Sequence, residues 1–286
     1  MASITTVAAP PVTTAAASRV GSCALRPNPA TLPASRWAST AMPATTTART
    51  TPASMSTIRT LGYAGSDVSW NFEKFLVGRD GTEVPLQLEG ENRPQGTSRV
   101  LEMTEPSHTW RFVGVAEPPV PSVNRGFAAP VIVENPESEA DLALRMQADA
   151  DPFQRWEAAQ SFATRLLLDT IAAARQGRPA PSPDAFVAAL AAAYDAVAGD
   201  PAFAAELLAL PGELYLAEQM AVIDVDAVHA AREGLRRAVA LGLADRLRAA
   251  RGVPAGPFAP DAASAGRRAL RNIALNPNFG GQAMVV

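Results

Sequence analysis

The spacing of apolar residues changes once along the chain, at Asn135-Pro136, and this change constrains the architecture more than any motif does. Before it, residues 84–134 alternate with the period of two expected of half-buried strands: Val84, Leu86 and Leu88 on one face, then Leu101 with Met103, Trp110 with Phe112, and Val131 with Val133. Asp80-Gly81 is a hairpin signal joining a strand that ends near Val77 to one that begins at Glu83. Gly90 to Gly96, Pro106-Ser107 and Pro118 to Gly126 supply the remaining breaks, giving about five short strands where a full immunoglobulin-type sandwich has about seven.

After Asn135-Pro136 the period is 3.6. Asp151-Pro152, Ser182-Pro183 and Asp200-Pro201 each place an N-cap residue before a proline at the first helical position. Helices are predicted near 138–149, 152–175, 183–198, 201–209, 213–221, 225–250 and 260–274. In the second of these, Phe153, Trp156, Ala159, Ala163, Leu166, Leu167 and Ile171 form one apolar stripe. Seven helices on short loops imply a layered array. Leu270 and Ile273 form the inner face of the last helix, and no charged residue follows Arg271, so an open apolar edge is expected at that end, with self-association through it.

The N-terminus differs in composition. Residues 1–66 hold no Asp, Glu or Lys, carry Arg19, Arg26, Arg36, Arg49 and Arg59, and are about two-thirds Ala, Thr, Ser and Pro. This is the signature of an organellar transit peptide, for plastid or mitochondrion, because no continuous apolar core follows the first basic residue. A disordered tail and a non-coding stretch read as protein are the alternatives, and all three put residues 1–66 outside the fold. From Asp67 onward 20 basic residues face 28 acidic ones. No stretch approaches the ~18 consecutive apolar residues of a membrane-spanning helix. The single cysteine, Cys23, lies in the leader, so the body can hold no disulfide or thiolate metal ligand.

Catalytic patterns are sparse. His108 and His229 are the only histidines, and His229 shares a helix face with Glu233 one turn on, two donors where zinc hydrolysis needs three converging ligands. There is no G-x-S-x-G elbow, no P-loop and no G-x-G-x-x-G. Arginines gather late (Arg232, Arg236, Arg237, Arg246, Arg248, Arg251, Arg267, Arg268, Arg271), but the body is net acidic and no aromatics interleave. A solvated helix face is therefore favoured over nucleic-acid binding. No catalytic, cofactor-binding or metal-binding residue is assigned.

From Val77 to about Leu275 the stretches VGRDGTEVPLQLEGE (77–91), RVLEMTE (99–105), PPVPSVNRGFAAPVIVE (118–134), DPFQRWEAAQSFATRLL (151–167), LPGELYLAEQMAVIDVDAVHAAREGLRRAV (210–239) and AGRRALRNIAL (265–275) closely resemble, in order, the C-terminal part of bacterial-type alanyl aminopeptidases, which are zinc metallopeptidases. The resemblance implies a multi-domain α+β chain: a partial immunoglobulin-like β-sandwich over 67–136, then a truncated α-helical superhelix over 137–286, preceded by a disordered leader over 1–66. The family's H-E-x-x-H zinc helix and G-x-M-E-N loop precede the matched region, so no zinc or catalytic residue carries over, and zinc belongs to the full-length family. The resemblance implies a non-catalytic fragment, or a component that works only with a separately encoded zinc domain. A second, shorter stretch, DVSWNFEKFLVGRDG (67–81), resembles the glutathione peroxidase segment that contributes Trp and Asn, here Trp70 and Asn71, but the peroxidatic residue is missing, since Cys23 sits in GSCALR.

Overall fold

Trp70–Val77 forms an eight-residue strand, and Gly78 to Gly81 reverses the chain after it. Gly81 takes φ +82°, a conformation glycine adopts without a Cβ penalty. Asp80 Oδ1 accepts from the Thr82 backbone nitrogen at 3.0 Å and from the Thr82 hydroxyl at 2.8 Å, closing the turn. The expected hairpin is therefore present, but its second arm pairs with the first only at the Val77–Glu83 bridge. Pro85 has no N–H to give to a ladder, so the alternation of Val84, Leu86 and Leu88 builds no regular strand, and of the three only Leu86 is fully buried.

The computed structural model describes residues 2–7, 57–60, 70–103, 107–127, 131–134, 137–252 and 259–275. It divides into two compact units, residues 1–138 and 139–286. The strands of the first are β1 (Ala2–Val7), β2 (Thr57–Thr60), β3 (Trp70–Val77), β4 (Ser98–Met103), β5 (Ser107–Phe112), β6 (Val120–Val123) and β7 (Val131–Glu134). β3 is the centre of an antiparallel sheet ordered β4-β3-β6, with Phe72 opposite Leu101 and Leu76 opposite Pro121. Pro121 sits on an outer strand, where a missing donor is tolerated. Leu76, Val77, Leu86, Leu101, Trp110, Phe112, Val120 and Val123 form the core, and Trp110 and Phe112 are buried together as their two-residue spacing predicts.

Two stretches of residues 1–66, β1 and β2, are among the described strands. β1 pairs antiparallel with β5, Ala2 opposite Phe112 and Val7 opposite Ser107. β2 pairs with β7, Thr57 opposite Glu134. Both stretches are rich in Thr, Ile and Val, whose branched side chains suit a pleated surface, and each pairs with a strand that otherwise offers a free edge. The rest of the leader, Cys23 included, lies outside the described residues.

The second unit contains, among the described residues, α1 (Glu139–Ala148), α2 (Pro152–Arg175), α3 (Asp184–Ala196), α4 (Pro201–Leu208), α5 (Glu213–Glu218), α6 (Val225–Gly242), α7 (Ala244–Gly252) and α8 (Ala262–Leu275). Asp151 caps α2 by accepting from Phe153 N at 2.8 Å, and Asp200 caps α4 by accepting from Phe203 N at 3.0 Å. At α3 the Ser182 hydroxyl accepts from Asp184 N at 3.2 Å, so the helix proper begins one residue after Pro183. The expected stripe of α2 is buried from Ala159 to Ile171, with Phe162 added. Phe153 and Trp156, at its start, are half-buried and pack on each other at 5.5 Å between ring centroids.

Two expectations are corrected here. The single helix predicted over 225–250 is two, α6 and α7, broken at Leu243. Gly242, the last residue of α6, packs against Val187 of α3 so closely that any Cβ would clash with it. The open edge expected at α8 is largely closed: α8 lies against α4, with Gly266 against Ala202, Ala274 is fully buried, and Leu270 and Ile273 pack on the core.

Candidate functional site

α6 carries His229 and Glu233 one turn apart, yet they serve different partners. His229 Nδ1 lies 2.9 Å from Glu213 Oε1 on α5, and Glu233 pairs with Arg236 at 2.6 Å. The hydrogen bond with His229 holds the Glu213 carboxyl below its ordinary range. Both partners are substantially exposed, so the pair contributes little to stability. A zinc site would need a third donor converging on His229 and Glu213, and the next carboxylate, Glu233, is turned to arginine. These residues do not fit zinc. Among the described residues, no group of three His, Cys, Asp or Glu side chains could hold a metal ion.

The other sequence-marked residues are scattered. His108 lies on β5 opposite Thr6, while Trp70 and Asn71 lie on β3 opposite Met103 and Glu102. The side chains of these three are outside the described residues.

Most of the late arginines serve internal contacts. Arg232 donates to Pro211 O, Arg251 to Ala274 O and Arg268 to Ala259 O, and Arg246 pairs with Asp195 at 2.5 Å. The guanidinium groups of Arg232, Arg251 and Arg268 thus tie segment ends together, so the run of basic residues is not a free cationic surface.

Sequence reasoning missed two buried ionic clusters whose members are far apart or hidden by helix geometry. In the sheet unit, Arg125 pairs with Glu83 at 2.8 Å, donates to the Ser122 hydroxyl at 3.0 Å and stacks 3.5 Å above the Phe75 ring. In the helical unit, buried Arg145 bonds the side chain of Gln154 and faces Asp149 at 3.7 Å and Glu157 at 3.6 Å. Desolvation pushes the Glu157 carboxyl up against the opposing pull of Arg145. In both clusters the arginine is buried while one carboxylate, Glu83 or Glu157, stays partly exposed. Buried arginine would have been legible only as an arginine beside apolar strand or helix positions, which is a weak signal.

A groove of about 260 Å³ lies between the end of α2 (Leu168, Ile171, Ala172) and the segment Met220 to Val222, and Arg175 donates to Val222 O across it at 3.4 Å. Leu214, Tyr215, Val222, Ile223 and Val225 are all exposed nearby in sequence. No described helix is long and apolar enough to cross a membrane.

Comparison with known proteins finds relatives of both units. The domain family described as "Domain of unknown function (DUF3458) Ig-like fold" matches residues 72–136, and "Domain of unknown function (DUF3458_C) ARM repeats" matches residues 139–278. Aminopeptidase N of Caulobacter vibrioides is 38% identical over 192 residues, which is 65% of this chain and 21% of that protein. Aminopeptidase N of Escherichia coli is 35% identical over 172 residues, 60% of this chain and 19% of that protein. The crystal structure of Legionella pneumophila aminopeptidase A in complex with aspartic acid shares the fold, with a TM-score of 0.59 and 22% identity, over 72% of this chain and 23% of that one. The chain thus spans about a fifth of the length of the curated relatives it matches. Residues 72–136 and 139–278 thus match the Ig-like and ARM-repeat DUF3458 families, and this stretch resembles part of aminopeptidase N.

Proposed function

We propose that the chain serves as the non-catalytic Ig-like and helical part of an aminopeptidase of the N type, without peptidase activity of its own. The observation that carries this reading is the co-linear match of residues 72–136 and 139–278 to those two domains. The polar side chains described there fit it: His229 is turned to Glu213, Glu233 to Arg236, and the buried arginines are spent on packing. The test is to express the whole chain, measure its zinc content and assay it on alanyl anilides. No stoichiometric zinc and no turnover are expected. One tight zinc per chain with turnover overturns the reading.

A second reading, in which the chain completes a separately encoded zinc domain, is favoured by the exposed apolar side chains around Val222 and the groove beside it. Mixing the chain with the corresponding zinc domain of the Caulobacter relative separates the two, since only a working component restores turnover. We also propose that residues 1–66 direct import into an organelle, on their acid-free, arginine-bearing composition. A reporter fused to them should concentrate in plastids or mitochondria and be shortened. Diffuse signal at full size counts against it.

A further inference from the structure

α6 carries a glycine that nothing within its own unit requires. Gly234 lies in the interior of an eighteen-residue helix, where glycine is less favourable than alanine. Gly242 and Gly266 have internal reasons, since a Cβ on the first would clash with Val187 and one on the second would lie 3.0 Å from Ala202. Gly252 closes α7, a common place for glycine. A Cβ on Gly234 would meet nothing within 4 Å, and the residue is exposed.

The rest of that face is also unlike an ordinary solvated one. At steps of four and three residues it runs Asp226, Ala230, Gly234, Arg237 and Leu241, all exposed. Leu241 is 64% exposed, and Ile223, just before the helix, is 57% exposed. Among the described residues neither Asp226 nor Arg237 takes part in an ion pair. The order along the helix is therefore apolar, acidic, small, small, basic, apolar, which is its own complement when turned end over end. Placed antiparallel about a two-fold axis between Ala230 and Gly234, the two helices bring Ala230 of one copy to Gly234 of the other. In the same register Arg237 falls beside Asp226 of the second copy, and Leu241 at the level of its Ile223. The small central pair lets the backbones approach, and the exposed leucine and isoleucine cover one another at each end.

We infer that the chain forms a symmetric dimer through this solvent face of α6, the occupant being a second copy of itself. The inference is independent of the aminopeptidase reading, because it needs neither a zinc domain nor activity. The charge pairs make it salt-sensitive, since they stay near the surface.

The test is sedimentation velocity on the whole chain from sub-micromolar to tens of micromolar concentration, with helix content checked by circular dichroism. A monomer–dimer equilibrium is expected. Gly234→Leu should weaken it by at least about tenfold, by holding the helices apart. Asp226→Arg alone and Arg237→Asp alone should each abolish it, because the two-fold axis turns one reversal into two like-charge pairs. The double variant Asp226→Arg/Arg237→Asp should restore it. If Asp226→Arg fails to fold, Gly234→Leu and Arg237→Asp still decide the matter, as both sites are exposed. A wild-type chain that stays monomeric overturns the inference, even if the face then binds another protein. So does a dimer indifferent to Gly234→Leu and to Arg237→Asp.

Discussion

Arg125 and Glu83 lie forty-two residues apart in the chain and meet at 2.8 Å inside the sheet unit, the arginine side chain only 6% exposed and the glutamate 28%. The Thr97 hydroxyl donates to the other carboxylate oxygen at 2.8 Å, so both oxygens are engaged. The contact with Arg125 is the main cause that holds the Glu83 carboxyl below the ordinary value of 4.5. Glu83→Gln keeps the shape but removes the charge that Arg125 meets, and should destabilise the sheet unit by about 1.5–3 kcal/mol. Because the folded carboxyl ionises more readily than the unfolded one, its contribution is fully present above pH 4.5 and is lost as pH falls through the lower folded value. With Trp37, Trp70 and Trp156 replaced by Phe, urea unfolding followed by Trp110 fluorescence between neutral and acidic pH should show this loss when Glu83 is present and its absence in Glu83→Gln.

Gly266 is the contact point of α8 on α4, where a Cβ would sit 3.0 Å from both the Cβ and the backbone nitrogen of Ala202. Backbone cannot yield as a flexible side chain can, so Gly266→Leu should push the helices apart at about 1–3 kcal/mol. Hydrogen exchange of the α8 amides should accelerate selectively. Unchanged protection there would mean that α8 is not held by this contact.

These two contacts show why only part of the molecule was legible in the sequence. Period and caps are local, so α2 and α4 could be placed from Asp151-Pro152 and Asp200-Pro201 alone. The break between α6 and α7 could not, because the apolar period runs through it unbroken, with Val239, Leu243 and Leu247 all buried. His229 and Glu233 have the spacing of a pair, yet the histidine meets Glu213, sixteen residues back, through the α5–α6 packing that spacing does not encode. The closing of α8 onto α4 was missed for the same reason: a helix pattern reports which face is apolar, not which partner covers it.

The Asp151 side chain accepts from the backbone nitrogens of Phe153 and Gln154 at the start of the longest helix in the unit. Asp151→Ala leaves these donors without a side-chain acceptor and should cost about 1 kcal/mol, while Asp151→Asn keeps the acceptor and should cost well under half of that. Thermal unfolding of both variants checks the ordering. Equal loss in the two would assign the stabilisation to the charge at the helix start instead of the cap bond.

The last prediction separates the buried part of the α2 stripe from its exposed start. Phe162 is 2% exposed and meets Phe186 of α3 edge to face, with centroids 5.5 Å apart. Phe153 shares the helix and the residue type, but it is half-buried and one of its contacts is with Trp156 on the same helix. Removing Phe162 therefore opens a cavity between two helices, whereas removing Phe153 uncovers a neighbour that water already reaches. Phe162→Ala should destabilise the helical unit by about 3–5 kcal/mol. Phe153→Ala should cost roughly 1 kcal/mol, in proportion to the smaller apolar area it withdraws from water. Urea denaturation of the two variants, followed by the far-ultraviolet helix signal, gives both values directly. Comparable losses would mean that Phe153 is covered in solution, and a loss that changes with protein concentration would assign the cover to association between chains.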